Sequence, residues 1–264
     1  MMKLGFIGTG NMGGAMIHGI LASGIVSPSQ IYVSDISEEP LKKFQEAGLN
    51  TSTENRRTAQ SADIIFLTVK PQFYEEILKE LKEFSDKIYI TVAPGITTRF
   101  LREKLSSTTK VIRTMPNTPA LVGEGVTAIC RSDSVTDDEY ETVKQLISAF
   151  SEIHELEESL MDAIISVSGS SPAYVYMMID AMAKSGERQG IPYKTALRMA
   201  AKTVLGAAKL LLSSPDSAEV LIDRVCSKGG TTIEAVNHLK QNDFYKLIDN
   251  AMEACTKRAL ELKK

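Results

Sequence analysis

Near its start the chain reads Leu4-Gly5-Phe6-Ile7-Gly8-Thr9-Gly10-Asn11-Met12-Gly13-Gly14. Leu4 to Ile7 is a short apolar run that predicts a buried strand. Ala15, Ile17 and Ile20 then recur at the spacing of a helix's inner face, in a helix beginning near Asn11. Gly8, Gly10 and Gly13 stand between and after them in the G-x-G-x-x-G pattern. After a strand and before a helix, the first glycine permits a tight turn and the second lets the backbone approach a pyrophosphate. The third lets helix and strand pack closely. Unpaired N–H groups and the dipole at the helix start favour negative charge there. The stretch predicts a dinucleotide site.

The rest of the composition narrows the field. The chain has 264 residues, 43% hydrophobic and 24% charged, enough for two domains with proper cores. A net charge of -3 gives no basic field for nucleic acid. No apolar run reaches the roughly 20 residues of a membrane span, and Gly5, Gly8 and Gly10 interrupt the stretch where a signal peptide would lie. Cys130, Cys226 and Cys255 are far apart and in no C-x-x-C pair, which suits reduced thiols and a cytoplasmic location. His18, His154 and His238 are scattered, so no metal centre is expected.

Ile31 to Ser34 alternates and ends at Asp35, some 20 residues beyond the last fingerprint glycine. A carboxylate there takes the ribose hydroxyls of the adenosine half and repels a 2′-phosphate, so it leans towards NADH over NADPH. The alternative is a plain cap for the helix expected over Glu38 to Ala47. Arg56 and Arg57 are the cations within reach of a phosphate. Ile64 to Val69 is a continuous apolar run, the mark of a parallel strand buried on both faces. Further strands are expected at 88–92, 111–113, 126–130 and 153–156, with helices between. That alternation argues a doubly wound α/β sheet. Three of these strands stop in Val69-Lys70-Pro71-Gln72, Ala93-Pro94-Gly95 and Met115-Pro116-Asn117-Thr118-Pro119. Each proline alone is a strand terminator. Three together make a rigid floor for a flat ring at the carboxyl ends of the strands.

From about Glu157 strand-like alternation ends and helices are expected, which divides the chain into 1–156 and 157–264. The helix near 193–212 is apolar on more than one face, so it is buried in a large core or between subunits. Met177, Met178 and Met182 read as packing. Later, Ser227-Lys228-Gly229-Gly230-Thr231-Thr232 precedes another helix. Unpaired amides of Gly229, Gly230 and Thr231 would form a nest for a carboxylate, and Thr232 adds a hydroxyl. The competing reading makes Ser227 or Thr231 a helix cap.

In this order the motifs resemble those of the pyrroline-5-carboxylate reductase family: 5–12, 69–72, 113–119, Ser168-Gly169-Ser170-Ser171-Pro172-Ala173-Tyr174 and 227–232. The resemblance implies a Rossmann-type doubly wound domain followed by an all-α dimerisation domain that interlocks with a second copy. Family members assemble dimers further, up to decamers. It implies NADPH or NADH on Ile7, Gly8, Gly10, Asn11, Met12 and Gly13, on Asp35 and Asn55 around the ribose, and on Thr68, Val69, Lys70, Pro71, Ala93, Pro94 and Asn117 nearer the nicotinamide. Glu158 falls where the family has a cofactor-side acid. The substrate, 1-pyrroline-5-carboxylate, would lie on Ser227, Gly229, Gly230 and Thr231, with Thr232 hydrogen-bonding its nitrogen as the catalytic residue. Ile165, Ser171 and Lys228 depart from the commonest family pattern. A reductase of another cyclic imine or a 3-hydroxyacid, or a weakly catalytic regulator, is the rival expectation. Hydroxyacid relatives carry a helix-borne lysine, and none stands between Ser168 and Tyr174.

Overall fold

The computed structural model describes residues 1–264. Its strands are β1 (Leu4–Ile7), β2 (Ile31–Ser34), β3 (Asn50–Ser52), β4 (Ile64–Leu67), β5 (Ile88–Thr91), β6 (Lys110–Met115), β7 (Gly125–Arg131) and β8 (Ser151–Glu155). They form one sheet in the order β3-β2-β1-β4-β5-β6-β7-β8. The first six strands are parallel, so the order reverses between β1 and β4, as a doubly wound sheet requires. β7 runs antiparallel to β6, and β8 runs parallel to β7. The chain between β6 and β7 holds only a short 3-10 turn, Thr118–Val122, too little for a parallel crossover. The polar edge strand β3 has no apolar alternation and gave no signal in the sequence.

The α-helices are α1 (Asn11–Ser23), α2 (Lys42–Glu46), α3 (Asn55–Ser61), α4 (Tyr74–Glu80), α5 (Thr98–Lys104), α6 (Asp137–Ser148), α7 (Ser171–Arg188), α8 (Tyr193–Ser213), α9 (Ala218–Val225), α10 (Thr231–Gln241) and α11 (Phe244–Glu261). Successive strand residues face opposite layers, which is why the central strands read as unbroken apolar runs. Phe6, Phe66, Ile90 and Ile112 pack with Ala15, Ile17 and Ile20 of α1, Phe44 of α2 and Val143 of α6. Ile7, Leu67, Tyr89 and Val111 pack on the other face with Ala59 of α3, Leu78 of α4 and Leu101 of α5. The Phe6 and Phe66 rings stack with centroids 4.5 Å apart.

Two compact units emerge. The first is Met1–Pro172 with Cys255–Lys264, the second Ala173–Ala254. The sheet unit therefore runs past the boundary expected after residue 156, and it also takes in the last residues. The reason is packing: Met161, Ile165 and Ala259 share a buried cluster with Met115, Ala128 and Cys130. Beside that cluster, Arg113 of β6 is wholly buried and pairs with Asp162, itself 1% exposed. Glu158 lies 3.6 Å from the same guanidinium, and the Lys263 ammonium lies 3.3 Å from Asp162. The second unit is entirely helical. Its buried apolar residues are Ala183, Ala196 and Ala200, too little side-chain volume for a core of its own.

Asp162→Ala leaves the buried Arg113 charge with only Glu158 at 3.6 Å and is expected to lower stability by about 3 kcal/mol. Chemical denaturation measures the loss.

Candidate active site

The first cleft is built by the glycine turn. Gly8 sits at φ +98°, a backbone region that side chains avoid, and its amide donates to the Ser34 carbonyl at 2.8 Å. A β-carbon on Gly13 would lie 2.6 Å from the Gly8 carbonyl oxygen and 2.8 Å from the Thr68 hydroxyl. Helix α1 is thus pressed against the ends of β1 and β4, and only glycine fits at the contact. Thr68 holds the turn from below, its hydroxyl donating to the Gly8 carbonyl at 2.6 Å and its amide to Ile7 at 2.9 Å.

Gly10 is different. Its backbone is ordinary, with φ -61°, and a β-carbon there would meet no protein atom within 4 Å. Gly10 caps α1 without a side-chain hydrogen bond, and the first turn holds no acidic residue. The amides of Asn11, Met12 and Gly13 belong to that unpaired first turn. A cradle of donors with open space in front of it fits a pyrophosphate.

Asp35 follows β2 and is held through both carboxylate oxygens, most closely through Oδ2. Its Oδ2 accepts the Thr9 amide at 2.9 Å and the Thr9 hydroxyl at 2.6 Å, and Oδ1 accepts the Ser37 amide at 3.3 Å. Asn55, at the start of α3, accepts from the Ser34 hydroxyl at 2.9 Å and donates to Glu80 at 3.0 Å. A cleft of about 380 Å³ brings together Ile7, Gly8, Gly10, Asp35, Asn55, Thr68, Val69 and Lys70. It also takes in Thr9, Ile36, Phe73, Glu76, Ile77 and Glu80, which the sequence reading did not single out. Thr9 is an unspecified position of the glycine motif. Glu80 is distant in sequence and shows its relevance only through its bond to Asn55.

Several expected residues lie outside this cleft. Pro71 opens the 3-10 turn before α4, and Ala93 is buried beyond β5. Pro94 lies in the same loop, outside the cleft. The Asn117 side chain is engaged at both ends, accepting the Val126 amide at 2.9 Å and donating to the Ser168 carbonyl at 3.2 Å. Glu158 accepts the Thr98 amide at 2.8 Å and the Thr98 hydroxyl at 2.6 Å, so its carboxylate secures the start of α5. Arg56 pairs with Glu83, and Arg57 bonds Glu54 at 3.0 Å. Neither lines the cleft. Ile165 is a buried packing residue.

In the helical unit, Gly230 caps α10 with no side-chain hydrogen bond, so neither Ser227 nor Thr231 caps it. Gly229 turns at φ +71°. The Gly230 amide donates to the Ser227 carbonyl at 3.0 Å, which corrects the expectation of three unpaired amides from Gly229 to Thr231. The open donors lie one step along, in the first turn of α10 at Thr231 and Thr232.

No group of three His, Cys, Asp or Glu could hold a metal ion. Burial, with the nearby Glu158 charge, pushes the Cys130 thiol up to about 12, so it is no thiolate nucleophile.

A sheet wound this way, with a helix start that no side chain caps beside its switch point, is an architecture that nicotinamide-dinucleotide oxidoreductases share. Residues 158–262 match the model for pyrroline-5-carboxylate reductase dimerisation, and residues 3–95 match one described as NADP oxidoreductase, coenzyme F420-dependent. The pyrroline-5-carboxylate reductase of Escherichia coli is 39% identical, over 99% of this chain and 98% of that protein. Solved structures of the Plasmodium falciparum enzyme with NADP bound and of the Coxiella burnetii enzyme superpose with TM-scores of 0.93 and 0.92, at 30% and 32% identity. They cover all of this chain and 98% and 99% of theirs. The chain belongs to the pyrroline-5-carboxylate reductase family.

The two glycines separate packing from binding. Gly13→Ala is expected to cost about 1–3 kcal/mol of stability through overpacking, while Gly10→Ala costs less, alanine being a poorer N-cap that meets no clash. Thermal melts of both variants check this.

Proposed function

We propose that the chain catalyses the NAD(P)H-dependent reduction of 1-pyrroline-5-carboxylate to L-proline, the last step of proline biosynthesis. The observation that carries this reading is family membership along the whole chain. The anion cradle at α1 supports it. Gly8, Gly10 and the first-turn amides of α1 would hold the pyrophosphate. Oδ1 of Asp35, on the side away from Thr9, would take the adenosine ribose hydroxyls. The loops around Lys70 and Pro94 would floor the nicotinamide. When bound, the reduced dinucleotide supplies the hydride that turns the imine carbon into an amine carbon. A carboxylate beside the ribose favours NADH over NADPH.

The first turn of α10 would bind the substrate carboxylate, and the Thr232 hydroxyl would hydrogen-bond the ring nitrogen. An imine nitrogen is basic enough to arrive protonated or to take its proton from water. The chain's own task is then to orient the reactants and exclude solvent. No strong acid is required of it.

The helical unit supports a homodimer. Tyr176, Met177, Leu210 and Leu212 are exposed in the single chain, and a unit buried only at three alanines needs a second layer. No helix is long and apolar enough to cross a membrane. The three unpaired cysteines fit a cytoplasmic enzyme.

NADH oxidation that depends on pyrroline-5-carboxylate and yields proline is the expected result. Dinucleotide binding without turnover on that imine or any other would mark a regulator instead. Thr232→Val should lower kcat roughly tenfold, the worth of one hydrogen bond, and unchanged kinetics would remove its role. In analytical ultracentrifugation the wild type should sediment as a dimer or larger, and Met177→Asp should shift it towards monomer.

A further inference from the structure

The lining of the cleft is acidic, with Asp35, Glu76 and Glu80 among its side chains. NADP differs from NAD by a 2′-phosphate of about two negative charges, which needs cations or N–H donors around the ribose. Arg56 is paired with Glu83 and also donates to the Glu80 carbonyl at 3.2 Å, and Arg57 is paired with Glu54. A neutral side-chain donor lining the same cleft as Asp35 is the Asn55 amide. Its orientation is fixed: the carboxylate of Glu80 cannot donate, so the Nδ2 end must face Glu80 at 3.0 Å while Oδ1 receives the Ser34 hydroxyl at 2.9 Å. The basic residue lining the cleft is Lys70. It lies before the 3-10 turn that leads into α4, whereas Glu80 ends that helix, so the two stand at opposite ends of the segment.

We propose that Glu80 is a cofactor-specificity residue, acting with Asp35 to exclude a 2′-phosphate. It does so in two ways. Its carboxylate adds a second negative charge at the ribose end of the cleft, and it holds the Asn55 amide away from an incoming anion. Ser34 is fully buried beneath, so it cannot redirect its hydroxyl towards solvent. The inference rests on the dinucleotide reading above and extends it from Asp35 to a residue on a different helix.

Calorimetry with 5′-ADP and 2′,5′-ADP tests this half of the cleft without turnover. The wild type is expected to bind 5′-ADP more tightly. Glu80→Ala removes charge and restraint together and should tighten 2′,5′-ADP about tenfold, with 5′-ADP changed less than about twofold. Glu80→Gln keeps an acceptor for Asn55 and should give a smaller gain in the same direction. Melting temperatures report whether both variants remain folded, and kcat/KM for NADPH relative to NADH should follow the binding ratio. Equal wild-type affinity for the two nucleotides, or no change of their ratio in either variant, overturns the proposal. A wild type that binds neither nucleotide nor NADH overturns the dinucleotide reading itself, and the proposal with it.

Discussion

The contact between α1 and the ends of β1 and β4 sets the terms for the rest of the sheet unit. Gly13 lies against the Gly8 carbonyl and the Thr68 hydroxyl with no room for a methyl group. That closeness directs the first-turn amides of α1 over the place where strand order reverses. It also fixes where Asp35 must be, because Thr9 in the same turn grips its carboxylate with amide and hydroxyl together. A helix end, a strand end and an acid are thereby tied into one rigid corner.

The parts of the fold written in hydrophobic pattern are legible in the sequence itself. The unbroken run at Ile64 to Leu67 meant two covered faces, and alternate residues do enter opposite cores. β3 was silent because Asn50, Thr51 and Ser52 lie at the sheet edge, where backbone pairing alone decides. The reversal of β7 depended on the shortness of the chain after Met115, and no periodicity records that. Glu157 to Gly169 lacks strand character, which is where the sequence pattern divides, while its Met161 and Ile165 pack with Met115 and Cys130.

The candidate site divides along similar lines. Backbone roles were readable, because glycine at a fixed spacing is a statement about space. Side-chain roles were less so: Asn117 and Glu158 are engaged by neighbours that only the fold brings near, namely Val126, Ser168 and Thr98. The open donors before α10 lie a residue further along than the spacing of the glycines suggests, because the Gly230 amide closes its own turn on Ser227.

The return of residues 255–264 to the sheet unit makes that unit discontinuous in the chain. During vectorial synthesis the strands emerge first. Ala259, which packs with Met115 and Met161, and Lys263, which approaches Asp162, arrive only after α7 to α10 have been made. Loop closure across more than eighty intervening residues makes this docking step entropically late. The sheet unit therefore reaches its final form after the helical unit has been made, so nascent chains expose an unfinished nucleotide-binding unit alongside helices whose apolar faces are still uncovered.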